Sequence, residues 1–128
     1  MSREIKIPDA SHPITVEPTA GHVRVLVGDT VIAESDAALT LQEASYPPVQ
    51  YVPLADIDAS VLSRTDTSSY CPFKGDASYY SVSTADGTVV DAGWAYDEPY
   101  DAVAPIATHV AFWPGRGAEV LVADPAVK

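Results

Sequence analysis

Short stretches of alternating apolar and polar residues, set apart by Gly, Pro and Asp, recur along the chain. A period of two marks half-buried strands, and the 3.6-residue period of a helix is nearly absent. Eleven prolines also interrupt any long helix. The expected fold class is all-β, or β-rich with one or two short helical turns.

In chain order, residues 1–13 read as an arm ending at His12-Pro13, flexible to about residue 11. Ile14 and Val16 open a short strand that Pro18 stops. Val23, Val25 and Val27 alternate with His22, Arg24 and Leu26, and Gly28-Asp29 turns the chain into Val31-Ile32-Ala33. Residues 22–34 therefore read as a hairpin. In a strand over residues 38–43, Leu39, Leu41 and Glu43 share one face. If the leucines point inward, so does Glu43, and an inward carboxylate needs partners or a wet cavity. The competing reading places Glu43 past the strand end, turned to solvent. Tyr46-Pro47-Pro48 bends the chain into a strand from Val49 to Pro53, expected at a sheet edge because of its proline.

Asp56 to Leu62 reads as a two-turn helix capped by Asp56 or Asp58. Arg64 to Tyr70 is polar and expected to be extended. Pro72 suits the second position of a turn, which puts Cys71 first and Lys74 last, their Cα atoms within about 7 Å. Gly75 releases the chain into a strand over Ala77–Ser83. Asp86-Gly87 turns it, and residues 88–96 return antiparallel with Trp94 and Tyr96 on one face. Residues 100–106 read as a turn or a single helical turn, His109–Trp113 as a strand, 114–117 as a turn and Glu119–Val122 as the last strand. Residues 123–128 read as a loose tail.

Composition narrows the partners. A chain of 128 residues reads as a single domain, residues 1–128, large enough to bury a core without disulfides or a metal. Seven basic residues against eighteen acidic give a net charge of −11. That balance argues against nucleic acid, whose phosphates need lysine and arginine, and against anionic membrane surfaces. Acidity of this degree keeps a small protein soluble, and a monomer or weak homodimer is expected. The single cysteine suits a reducing compartment. The N-terminus has no apolar signal core, and no run is long enough to span a bilayer, so a cytoplasmic location is expected.

Four constellations bear on chemistry. His12, His22 and His109 lie far apart and the one cysteine has no second, so no zinc site is expected. No phosphate-binding glycine loop is present, since Lys74-Gly75 inverts the required order. Asp56-Ile57-Asp58 resembles a Mg²⁺-holding pair but falls where a helix cap is expected. Cys71 is the sharper candidate. An ammonium beside a thiol lowers its pKa, and the thiolate is the nucleophile. Glu43, if inward, could serve as base or proton relay there; otherwise Cys71 is a small buried apolar residue. Finally, tyrosines and tryptophans greatly outnumber Phe73 and Phe112. Their polar tips want partners, which suits either a half-wet ligand pocket or ordinary strand packing.

Read in order, several blocks form one pattern: His12-Pro13-Ile14, Ile32-Ala33-Glu34-Ser35, Leu41-Gln42-Glu43, and Tyr51-Val52-Pro53 with Asp56. Then follow Cys71-Pro72-Phe73-Lys74-Gly75, Ala77-Ser78-Tyr79-Tyr80, Trp94-Ala95-Tyr96 with Pro99, and Val110-Ala111-Phe112. The pattern resembles the bacterial and fungal family called domain of unknown function 427, from about His12 to Val122. The resemblance implies a β-tent or Mss4-like fold, barrel-like in outline, with two antiparallel sheets opening onto a central pocket. Fold relatives include the methionine sulfoxide reductase B domain, the thalidomide-binding domain of cereblon and zinc-binding modules. The paired Cys-x-x-Cys knuckles of the zinc binders are missing here, so their metal is not carried over. The family's characteristic polar and aromatic residues fall on Glu43, Tyr51, Cys71, Lys74, Tyr79, Trp94 and Tyr96.

Two function classes follow. In the first, Tyr51, Tyr79, Trp94 and Tyr96 line a pocket for a small polar ligand of unknown identity. Glu43 and Lys74 orient that ligand, and Cys71 is the thiol of an eventual reaction. In the second, an aromatic groove captures a segment of a partner protein without catalysis. A deep cavity favours the first, and an open groove beside an unpaired strand edge favours the second. The cofactor is unknown from the sequence.

Overall fold

Strands dominate a computed structural model of the protein that describes residues 4–113 and 117–123. They are β1 (Ile14–Pro18), β2 (His22–Val27), β3 (Thr30–Ser35), β4 (Leu39–Glu43), β5 (Val49–Pro53), β6 (Leu62–Cys71), β7 (Gly75–Thr84), β8 (Gly87–Tyr96), β9 (His109–Phe112) and β10 (Ala118–Ala123). One sheet has seven strands in the order β1-β4-β5-β9-β8-β7-β6, and the other three in the order β10-β2-β3. Every pairing is antiparallel. The fold is all-β with two sheets that do not close into a barrel.

Side-chain alternation sorts the residues into two layers. On β2, Val23, Val25 and Val27 are buried and Arg24 is exposed. These valines pack with Ile32 against Val52, Val82, Val110 and Phe112 of the large sheet. Burying each such side chain stabilises the fold by about 1.5–3 kcal/mol. Adjacent residues of the same large-sheet strands point the other way. Tyr51, Ala111, Trp94 and Tyr96 form a second cluster with Leu41. Val103 and Ile106, from a 3-10 segment at Asp101–Ile106, pack into this cluster.

Several expectations are corrected. β5 is not an edge strand but lies between β4 and β9. Pro53 is tolerated there because it is the last residue of the strand and starts the following 3-10 turn. The two-turn helix at Asp56–Leu62 is replaced by two 3-10 turns, Leu54–Asp56 and Ala59–Val61. Between them Ile57 is extended, buried and bridged to Ala33, and that pull breaks the helix. Asp58 does cap the second turn, accepting the Ser60 N–H at 3.0 Å, whereas Asp56 accepts the Ser35 hydroxyl at 2.6 Å. The turn expected at 114–117 lies outside the described residues except for Gly117, as do residues 1–3 and 124–128. No helix among the described residues is long and apolar enough to cross a membrane.

Gly93 on β8 stands where β9 leaves no room for a side chain. A Cβ there would stand 2.9 Å from the Ala111 carbonyl oxygen and 3.0 Å from a Val110 methyl. The nearest atom is backbone held in a strand and cannot swing aside. Gly93→Ala is therefore expected to destabilise the protein by about 1–3 kcal/mol, as overpacking does. Urea unfolding measures this, and an unchanged midpoint would contradict the packing described.

Candidate functional site

The Cys71–Lys74 turn joins β6 to β7 and is pinned from three sides. Its own closure is the Lys74 N–H bonded to the Cys71 carbonyl at 3.1 Å. The Lys6 N–H, from the N-terminal arm, donates to the Pro72 carbonyl at 2.9 Å. The Tyr100 N–H donates to the Lys74 carbonyl at 3.0 Å. Gly75 follows with φ +111°, a left-handed conformation in which a side chain would be strained. The sequence reading of this turn is thus what the structure shows, and its anchors come from segments distant in the chain.

Pinned this way, Lys74 turns inward and is 7% exposed. Its Nζ lies 2.5 Å from Glu43 Oε1 and donates to Cys71 Sγ at 3.8 Å. Glu43 therefore points in with Leu41, as strand parity suggested, and the solvent-facing alternative is overturned. The chain can turn directly after Glu43 because Ala44 takes φ +47°, a conformation costing about 1–2 kcal/mol outside glycine. The Tyr46 N–H then bonds the Glu43 carbonyl at 2.9 Å, and Ala44 N–H reaches Pro13 at 2.7 Å.

The second carboxylate oxygen receives His12. Its Nε2 is 2.8 Å from Glu43 Oε2, and since a carboxylate only accepts, Nε2 carries the proton. The imidazole stacks on Phe73, rings 4.3 Å apart and 8° from parallel. Burial alone would push the Glu43 carboxyl up. The hydrogen bonds from Lys74 and His12 outweigh it and hold the carboxyl below its ordinary value.

Beside this charged group opens a cavity of about 230 Å³. Glu43 and Lys74 form part of its lining, and Tyr51, Tyr79, Trp94 and Tyr96 give it aromatic walls. Tyr46, Pro47 and Trp113 also border it. Strand register builds the walls: Tyr79 pairs with Trp94, and Trp94 pairs with Ala111. Ala111 is small, so Trp94 reaches over it to Tyr51, edge to face at 6.4 Å, and its indole N–H donates to the Tyr51 hydroxyl at 3.3 Å. Trp113 packs on Trp94 with centroids 4.2 Å apart. Ser69 Oγ lies 2.8 Å from the Tyr79 hydroxyl.

Six of the seven residues singled out from sequence thus line one cavity. The seventh, Cys71, is half-buried and touches Lys74 without lining it. Sequence reasoning missed His12 and Trp113. Strand parity with Ala111 would have placed Trp113 on this face; for His12 the signal is a long-range pairing, Ile14 opposite Glu43. The other histidines lie elsewhere, His22 on Asp36 and His109 on the Ala107 carbonyl. Among the described residues no three of His, Cys, Asp and Glu gather as around a metal ion.

Fold and site define a small all-β protein with an aromatic-walled cavity and an ion pair in its lining. The profile of the family described as Domain of unknown function (DUF427) matches residues 15–123, and the chain belongs to that family. The match includes every residue of the site except His12. No curated protein matches the chain.

The ion pair yields two predictions. Either Glu43→Leu or Lys74→Met alone breaks the pair and is expected to cost about 3 kcal/mol, whereas the double variant Glu43→Leu/Lys74→Met restores most of it. Chemical denaturation of the four proteins measures the cycle, and additive losses would contradict it. Because the folded Glu43 value is lowered, its contribution is complete above the ordinary 4.5 and lost as pH falls through the folded value. The wild-type advantage over Glu43→Gln should accordingly shrink as pH falls below 4.5, which unfolding midpoints against pH will show.

Proposed function

We propose that the protein binds a small polar molecule that carries a flat ring. The observation that carries this reading is the Glu43–Lys74 pair in the lining of an aromatic-walled cavity. Lys74 has three donors, of which one goes to Glu43 and one toward Cys71, leaving a third for a ligand. The tryptophan and tyrosine faces offer stacking surface for a ring. At about 230 Å³ the cavity is at the small end for ligand sites. The fold, on this reading, is of the β-tent or Mss4-like kind, with its pocket on one face of the larger sheet.

Binding is better supported than thiol catalysis. Cys71 does not line the cavity, and Glu43 is held as a carboxylate with both oxygens engaged. A proton carrier works best with a pKa near the operating pH, and Glu43 is shifted the other way. A peptide groove is supported less still. An added segment would need an open strand edge, while Tyr51 and Trp94 stand on β5 and β8, inside the sheet.

The chain's two tryptophans, Trp94 and Trp113, both border the cavity, so tryptophan emission reports on its occupancy. In a thermal-shift screen of small ring-containing metabolites, a ligand should both change that emission and stabilise the fold, by about 2.7 kcal/mol at a hundredfold excess over Kd. Lys74→Met should lose both effects. If every stabilising compound leaves the emission unchanged, binding is elsewhere and the reading is wrong.

A further inference from the structure

Two phenols in the cavity wall have incomplete hydrogen bonding. Tyr51 is 2% exposed and Tyr96 8%. The Tyr51 oxygen accepts the Trp94 indole N–H, but no acceptor for its own proton is found among the described residues. The Tyr96 hydroxyl has no hydrogen-bond partner among them at all. Yet among the described residues no side-chain nitrogen or oxygen is both fully enclosed and unpartnered. The Tyr96 hydroxyl is therefore not fully enclosed, and Tyr96 belongs to the cavity lining.

A tyrosine serving only to pack would gain nothing over phenylalanine from a hydroxyl without a protein partner. Both phenols also stay protonated. Burial above all raises their pKa values, and the nearby Glu43 carboxylate acts in the same direction. A protonated phenol donates. At Tyr51 the indole N–H on its oxygen strengthens that donor further, as successive hydrogen bonds polarise one another.

We infer that Tyr51 and Tyr96 donate to an acceptor oxygen of the ligand, which makes the ligand class a small flat ring bearing a carbonyl or carboxylate. This rests on the cavity being a binding site. It adds which atoms of the ligand the protein reads. Lys74 lines the same cavity and accommodates the carboxylate form, whereas the neutral carbonyl form needs only the two phenols.

The test uses benzamide, benzoate and toluene as probes at millimolar concentration, followed by tryptophan emission and ligand-observed NMR. The proteins are the wild type, Tyr51→Phe and Tyr96→Phe. Each variant keeps its ring, and unfolding midpoints verify that each folds. At least one of the two oxygen-bearing probes should bind more tightly than toluene. Each Phe variant should weaken that probe about fivefold, the usual effect of one neutral hydrogen bond, and leave toluene unchanged. Preference for benzamide assigns a neutral carbonyl, and preference for benzoate a carboxylate. If toluene binds as well as the others, or both variants leave all affinities unchanged, the assignment is overturned while the binding site stands. Loss of toluene binding along with the others makes the phenols packing groups and overturns it too. If no probe binds the wild type, the cavity reading itself fails.

Discussion

Glu43 and Lys74 need each other. Lys74 is almost wholly removed from water and Glu43 largely so, and neither charge is tolerable there alone. Their contact spans 31 residues of sequence and ties the end of β4 to the turn between β6 and β7. Much around the site follows from that tie. The chain leaves β4 through a left-handed Ala44, the N-terminal arm brings His12 to the remaining carboxylate oxygen, and Tyr100 clamps the lysine carbonyl. Tyr51 on β5, Tyr79 on β7, and Trp94 and Tyr96 on β8 then form the cavity's aromatic wall.

The large sheet carries two tasks on two faces. One face is aliphatic and packs against β2 and β3, where valine and isoleucine dominate. The other is aromatic and holds the cavity. Ala111 matters out of proportion to its size. Any larger residue between Trp94 and Tyr51 would part the indole from the phenol it bonds.

Strand alternation, the glycine turns and the Cys71–Lys74 turn were legible because each is local. Parity put Glu43 on the leucine face, and family resemblance gathered the aromatics. What stayed hidden was long-range. Pro53 spoke for an edge strand, yet a proline at a strand's last residue sacrifices little of the ladder, and β5 became interior. Asp56 to Leu62 had helix caps but also Ile57, whose burial against Ala33 outweighed local propensity. His12 reaches the site only through the pairing of β1 with β4, and no local pattern records that pairing.

The two-faced sheet also bears on how such a protein can change over generations. Val52 sits beside Tyr51, Ala95 beside Trp94 and Val110 beside Ala111, yet each neighbour answers to a different layer. Replacements at one parity act on the shape of the cavity, and replacements at the other act on whether the sheets hold together. A lineage can therefore reshape the cavity through one set of alternate codons while the interleaved set keeps the molecule folded.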